Sequence, residues 1–280
     1  MAEEKKYYIG PAGWSYPDWK GVVYPRDMKV HPLTFLERYF NMVEINTTFY
    51  HVPNLKMVEN WCAVLTRNDF QFILKLHQKF THEREDIRQE EIQANKNVFQ
   101  VVKYHERMGG ILVQFPWSFI NIGENFDYLK QLIGWFSDFP LIIEVRHISW
   151  HKRDFFEFLN RNNIAFCNID QPETRNSIKL SDYVTSETGY LRLHGRNKKD
   201  WFGENTSRDK RYNYLYRDEE LEELMEKIKT IREKSLKTFV VGNNHFKGQA
   251  VVNLLQISSR LSLLKEPVPE LLAGHYPVLK

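Results

Sequence analysis

The sequence predicts a single-domain α/β fold, a TIM-type (β/α)₈ barrel, and three observations predict it. Short runs rich in Val, Ile, Phe and Tyr recur eight times along the 280 residues, the composition expected of strands buried on both faces. Segments with helical spacing lie between them, the alternation that builds a parallel sheet with crossover helices. Polar residues collect toward the ends of the runs, where barrel enzymes assemble their sites. An open doubly wound sheet shares the alternation and is the competing arrangement.

In chain order, the strand-like runs begin near Tyr7, Met42, Phe70, Gly110, Leu141, Ile164, Tyr190 and Thr238. After the second run, Leu55, Val58, Cys62 and Leu65 step by three or four residues, as one buried helical stripe requires. Asp154-Phe-Phe-Glu-Phe-Leu follows the fifth run in the same manner. After Asp218, the residues Leu221, Leu224, Ile228 and Ile231 form an apolar line, with Glu219 and Glu220 in the first turn, where the helix dipole favours anions. A further helix follows the eighth run from Gly248. No linker or composition break interrupts the series, so one domain is expected over 1–280, with its core at about 7–258 and a tail at 259–280.

Composition removes several function classes. Hydrophobic residues make up 42% and charged residues 27%, ordinary globular values that exclude disorder and collagen-like repeats. No apolar run approaches the roughly 18 residues of a membrane span. The opening Met1-Ala2-Glu3-Glu4-Lys5-Lys6 is charged and unlike a signal peptide. Two cysteines, Cys62 and Cys167, imply no disulfide framework and suit a reducing cytoplasm. A net charge of +3 is too small to specify a polyanionic partner.

The interruptions of the strands carry the functional information. Side chains alternate faces along a strand, so residues two apart share one. Glu44 with Asn46, Lys75 with His77, Glu144 with Arg146, Asn168 with Asp170, and Arg192 with His194 are such pairs. Gln114 closes the fourth run, and Asn243 and Asn244 close the eighth. Charges turned outward would be buried unpaired beneath helices, at several kcal/mol each. The expected solution turns them inward, where the carboxylates of Glu44, Glu144 and Asp170 face Lys75, Arg146 and Arg192 in one hydrated pocket, with His77 and His194 able to titrate.

Three chemistries compete for that pocket. Metal binding has His and carboxylate donors, but three cations among the same positions oppose a divalent ion, and HExxH and CxxC are absent. His147 and His151 read as ordinary loop residues. Paired carboxylates suit glycoside hydrolysis, although Arg146 lowers the pKa of Glu144 and disfavours it as a general acid. Anion binding has the most support: Gly242-Asn243-Asn244-His245-Phe246-Lys247-Gly248 leads into a helix after strands seven and eight, where barrels commonly hold phosphate. Arg192, His194, Gly195 and Arg196 lie next to it.

The segment after the seventh run is long. It interleaves Lys198, Lys199, Arg208, Lys210 and Arg211 with Trp201, Phe202, Tyr212, Tyr214 and Tyr216, cations beside stacking platforms that suit a nucleic-acid strand. A lid whose aromatics pack onto the barrel explains the same pattern. Tyr8, Trp14, Tyr16, Trp19, Phe49 and Tyr50 add aromatics near the first two strand ends. Cys62 and Cys167 read as buried hydrophobes.

Taken together, Gly10-x-x-Gly13-Trp14, Val43-Glu-Ile-Asn-Thr-Thr-Phe-Tyr50, Thr81-His82, Gln114-Phe-Pro116, Ile143-Glu-Val-Arg-His147 with Trp150, Leu191-Arg-Leu-His-Gly195 and Asn243-Asn-His with Gly248 resemble the YecE-like family. The resemblance runs from about Tyr7 to Leu255. It implies a TIM-barrel-type fold and no particular activity; a likeness to barrel nucleases of the abasic-site type is an analogy of fold alone. The family's motif positions coincide with Glu44, Asn46, Glu144, Arg146, Arg192 and His194. Phe115 departs from the Pro or Leu common before Pro116.

The resulting expectation is a hydrolase or lyase acting on a small phosphate-bearing sugar or nucleotide-like substrate. Glu44, Lys75, Glu144, Arg146 and His194 carry its chemistry, and Asn46, Gln114, Asp170, Arg192, Arg196, Asn243, Asn244 and Gly248 bind substrate. No cofactor is expected. A non-catalytic nucleic-acid-binding protein and a metal-dependent nuclease or isomerase are the alternatives.

Overall fold

The computed structural model describes residues 4–201 and 208–280. The described residues form eight parallel strands: β1 (Lys6–Pro11), β2 (Met42–Ile45), β3 (Gln71–Lys75), β4 (Met108–Gln114), β5 (Leu141–Glu144), β6 (Ala165–Asp170), β7 (Thr188–Leu193) and β8 (Lys237–Gly242). They pair in the order β1-β8-β7-β6-β5-β4-β3-β2. The remaining edges are drawn together by a parallel bridge between Ala12 and Glu44. The Asn41 side chain, which accepts from Ile9 N at 2.9 Å and donates to Tyr7 O at 2.7 Å, completes the join. Gly10 makes this approach sterically feasible, because a Cβ there would stand 1.8 Å from Met42 O. The barrel is thus nearly closed.

Helices α1 (Pro32–Leu36), α2 (Leu55–Ala63), α3 (Gln89–Tyr104), α4 (Gly123–Trp135), α5 (Arg153–Arg161), α6 (Asp218–Lys234) and α7 (Gln249–Arg260) surround it. Asn54 caps α2 by accepting from Met57 N at 2.8 Å, satisfying one of the orphan donors of the first turn. Glu220 does the same for Arg217 N ahead of α6, at 2.9 Å. The residues at 259–280 return to the barrel: Leu272 is buried, and the Tyr276 hydroxyl donates to Lys247 O at 2.8 Å.

Two layers of core follow from strand alternation. The outer layer joins strands to helices through residues such as Val43, Val113, Ile143, Leu191 and Val240. The inner layer fills the barrel with Tyr8, Met42, Ile73, Leu112, Ile142, Cys167, Ile169, Tyr190 and Phe239 among others.

One crossover departs from the predicted pattern. Between β6 and β7 the chain forms no helix. This segment contains Pro172 and lacks an apolar stripe of helical spacing. It is fastened to β6 by polar contacts instead. Asn168 donates to Tyr183 O at 2.8 Å and accepts from Tyr183 N and the Ser181 hydroxyl, while the Thr185 hydroxyl accepts from Phe166 N and donates to Ile164 O. The outer face of β6 packs through Phe166 on Phe155 and Phe156 of α5, while beyond it Asn168 and Asp170 make the end of that face polar.

Candidate active site

Six strands place an apolar inner residue two positions before a polar one: Met42 before Glu44, Ile73 before Lys75, Leu112 before Gln114, Ile142 before Glu144, Tyr190 before Arg192, and Val241 before Asn243. Alternation therefore lifts these polar groups onto the apolar plug at the C-terminal end of the barrel.

At their centre is a buried ion network. Arg192 donates from Nη2 to Glu44 Oε1 at 2.6 Å and from Nη1 to Glu144 Oε2 at 2.5 Å. The other Glu144 oxygen accepts from Arg146 Nε and Nη2 at 3.0 and 2.9 Å. Tyr190 donates its hydroxyl to Glu44 Oε2 at 2.9 Å. Every glutamate oxygen is engaged, and Glu44, Glu144 and Arg192 are buried. Charge cancels within this set, two carboxylates against two guanidiniums. Burial penalises the Glu144 carboxylate, but Arg192 and Arg146 outweigh it and hold the group well below the usual range. The same reciprocity keeps Arg192 charged against the cost of its own burial.

Lys75 is an extra cation above this neutral set. Its Nζ lies 3.9 Å from the centroid of the Phe49 ring and, among the described residues, has no hydrogen bond or carboxylate partner. Burial, followed by the Arg192 charge, lowers its pKa to about 7, despite the opposing effect of Glu144. His194 is buried and takes a hydrogen bond with Asn243 Nδ2 at 2.9 Å through Nδ1. Burial lowers its pKa to about 3, so it enters the site as a neutral imidazole. His82, bonded to the Thr81 hydroxyl at 2.9 Å and edge-on to Phe49, is lowered to about 4 by burial and then by Lys75.

These groups surround a cavity of about 70 Å³ lined by Asn46, Tyr50, Lys75, Gln114, Arg146, Arg192, Tyr212 and Asn243. At roughly 30 Å³ per water it has room for about two waters or one anionic head group. Arg192 Nε and Asn46 Oδ1 are buried and have no hydrogen-bond partner among the described residues. A larger cavity of about 830 Å³, lined by residues such as Lys6, Tyr8, Gly109 and Lys237, lies at the opposite end. That is the face where barrels carry stability rather than chemistry.

The structure brings together Glu44, Asn46, Lys75, Gln114, Glu144, Arg146, Arg192, His194 and Asn243. It corrects four other positions. Asp170 points outward, accepting from Arg196 Nε at 2.9 Å and from the Tyr216 hydroxyl at 2.5 Å, because the inner positions of β6 belong to Cys167 and Ile169. Arg196 is held in that outer network by Asp170 and by Glu223 at 2.9 Å. Asn244 donates outward to Tyr214 O and to Asn253 of α7. Gly248 shapes the turn before α7 with φ of 81°, where a Cβ would meet Val23 at 2.6 Å. The phosphate turn expected at 242–248 is filled by the chain itself: Asp18 accepts from Lys247 N at 2.5 Å, and Tyr16 stacks on His245. His77 turns its Nδ1 to Lys79 N.

The segment after β7 divides by residue type. Tyr216 and Tyr214 spend their hydroxyls on Asp170 and Glu220, and Tyr212 packs beside His245 and lines the cavity. Lys198, Lys199, Lys210 and Arg211 are exposed. Phe202 lies outside the described residues, as do the side chains of Trp201 and Arg208. Among the described residues no three of His, Cys, Asp or Glu converge as a metal cluster, and no helix is long and apolar enough to cross a membrane. Cys167 does face the interior, 3.8 Å from Glu144, but burial pushes its thiol well above the usual range.

Sequence reasoning passed over Tyr190 and Gln171. Tyr190 was legible two residues before Arg192. Gln171 continues the inner parity of Cys167 and Ile169, and neither of its buried amide atoms has a hydrogen bond among the described residues.

The family model described as "Protein of unknown function DUF72" matches residues 8–274. The UPF0759 protein YunF of Bacillus subtilis is 29% identical over 270 residues, 91% of this chain and 95% of that protein. YecE of Escherichia coli K12 is 28% identical over 157 residues, 55% of this chain and 54% of that one. The crystal structure of a DUF72 family protein from Thermotoga maritima is 32% identical with a TM-score of 0.81, covering 91% of this chain and 99% of that chain. A DUF72 family protein from Enterococcus faecalis gives a TM-score of 0.81 at 25% identity, covering 94% and 97%.

Proposed function

The chain belongs to the DUF72 family, and from that premise we propose that its barrel mouth is the active site of a hydrolase or lyase acting on a small phosphate-bearing sugar or nucleotide-like substrate. The observation that carries this reading is the polarity of the cavity. Cations and amides line it, while every glutamate oxygen is turned into contacts beneath. Arg146, Lys75 and the unpartnered Nε of Arg192 receive the anionic group, and Asn46 Oδ1 accepts from a hydroxyl or bound water. Glu144 fixes the guanidiniums rather than acting as a base, since a carboxylate held ionised between two arginines is a weak proton acceptor, and Glu44 spends its two oxygens on Arg192 and the Tyr190 hydroxyl. Proton transfer near neutrality falls to Lys75.

The cavity is smaller than the roughly 300 Å³ of an ordinary ligand pocket. It therefore seats the head group, with the remainder of the substrate beneath the segment that carries Tyr212. A nucleic-acid reading has less support, because Tyr214 and Tyr216 are already committed within the fold.

The test is calorimetry and thermal shift with inorganic phosphate and a panel of sugar phosphates and nucleotides. Binding is expected in the natural chain, with at least about a tenfold loss (1.4 kcal/mol) in Arg146→Gln. No binding by any member, or equal binding by the variant, overturns the assignment.

A further inference from the structure

Among the described residues that line the cavity, Lys75 is the cation that the ion network does not hold. Glu44 and Glu144 turn their oxygens to Arg192, Arg146 and Tyr190, and among the described residues no carboxylate stands within ion-pair distance of the Lys75 ammonium. Lys75 lines the cavity together with Asn46, Gln114 and Arg146, and its Nζ stands over the face of Phe49 at 3.9 Å from the ring centroid. A lysine desolvated against an aromatic ring and crowded by other cations is a nucleophile rather than an ion-pair partner.

Building on the anion-pocket reading, we propose that the Lys75 amine forms an imine with the carbonyl carbon of a small phosphorylated aldehyde or ketone. The nitrogen lone pair adds to the carbonyl carbon, making the C–N bond as the C=O π pair moves onto oxygen. That oxygen leaves as water with the two amine protons, leaving a C=N bond and requiring no oxidant or reductant. Once protonated from water, the imine draws in the electron pair of a C–C bond broken at the neighbouring carbon. The departing carbon leaves as an aldehyde as its hydroxyl proton passes to water. Protonation and hydrolysis of the resulting enamine free the amine, which completes a lyase reaction. The lowered basicity agrees with this: at neutral pH a lysine near 7 has roughly a thousandfold larger unprotonated fraction than one at 10.4. Arg146 and Arg192 hold the substrate phosphate beside the amine.

The experiment is reductive trapping of the full chain with sodium cyanoborohydride in the presence of dihydroxyacetone phosphate, glyceraldehyde 3-phosphate or unphosphorylated glyceraldehyde, read by peptide mass mapping. A reduced adduct on Lys75 is expected with a phosphorylated probe, at least about tenfold above any exposed lysine. Excess inorganic phosphate suppresses it, and Lys75→Arg abolishes it at that peptide without loss of the folded signal in circular dichroism. Adducts spread evenly over surface lysines, or insensitive to phosphate, overturn the imine. Absence of a Lys75 adduct while inorganic phosphate still binds by calorimetry overturns the imine and leaves the anion pocket standing. Absence of both removes the two readings together.

Discussion

Glu144 and Asp170 end neighbouring strands, both are buried, and both meet an arginine, yet their acidities move in opposite directions. Glu144 points into the barrel, where two guanidiniums outweigh the cost of its burial and hold it ionised. Asp170 points out beneath the segment after β7. There burial dominates over Arg196 and the Tyr216 hydroxyl, and the carboxyl is raised above its ordinary value. Arg196 is itself shared with Glu223 and partly exposed. A carboxylate's role here follows from the face it occupies and how many cations it commands, not from its place in a strand-end motif. Inside, the ions form a fixed platform for Lys75. Outside, they fasten a connection.

Removing each carboxylate's charge is expected to have unequal effects. Glu144→Gln leaves Arg192 and Arg146 without their shared anion and is expected to cost about 3–5 kcal/mol in urea unfolding. Asp170→Asn leaves Arg196 its other acidic partners and is expected to cost about 1–2 kcal/mol. An equal or reversed order refutes the asymmetry. Asn168→Ala tests the outer face of the same strand; it strips the partners from Tyr183 N and O beneath the helix-free crossover and is expected to cost about 1–3 kcal/mol.

The two carboxylates are also expected to respond to pH with opposite slopes. The stability that Glu144 contributes is present above the ordinary glutamate value of about 4.3 and is lost as pH falls through its depressed folded value. The gap between the natural chain and Glu144→Gln therefore narrows on acidification. Asp170 contributes in its protonated form, below about 3.9, and loses that contribution as pH rises through its raised folded value. The gap to Asp170→Asn narrows as pH rises. Parallel slopes in pH-dependent denaturation contradict the assignment.

Lys75 sharpens the account of the platform, since its charged form is the one the fold disfavours. Lys75→Met is expected to raise the melting temperature by several degrees at pH 6, with the gain fading as pH climbs from about 7 toward the ordinary lysine value of about 10.4. A melting temperature lowered at pH 6 would mean that the ammonium has a stabilising partner. The smallest effect is expected at the exposed Lys198 and Lys199, whose replacement by Gln shifts stability by no more than about 0.5 kcal/mol.

Much of this organisation was legible beforehand. The eight strands lie where runs of β-branched and aromatic residues begin, because strands covered on both faces admit little else. The pairs Glu44 with Asn46, Glu144 with Arg146, and Arg192 with His194 were readable from the period of two. Asn168 and Asp170 have the same spacing and face the other way. Parity says which residues share a face, and only the covering element says which face is inward. Val43 and Leu191 flank polar residues and sit in the outer core, so Glu44 and Arg192 are forced inside. On β6 the covering helix α5 meets Phe166, and Asn168 and Asp170 beyond it find polar partners in Ser181 and Tyr183 and in Arg196 and Tyr216. The apolar spacing of Cys167 and Ile169 was the available signal. The turn at 242–248 misled for a different reason. Its glycines mark backbone geometry, and nothing in their spacing records that Asp18, 229 residues away in sequence, takes the Lys247 N–H.

Composition and periodicity by themselves determined the number of strands, their places along the chain and the residues that share each face, since these are set by local sterics and by burial along a few consecutive positions. The tertiary structure alone decided which carboxylates meet which arginines, which cation is left over, and which expected anion site the chain fills itself. Those outcomes depend on charges brought together from distant parts of the chain, where separations of a few ångströms under low dielectric fix both ionisation and role.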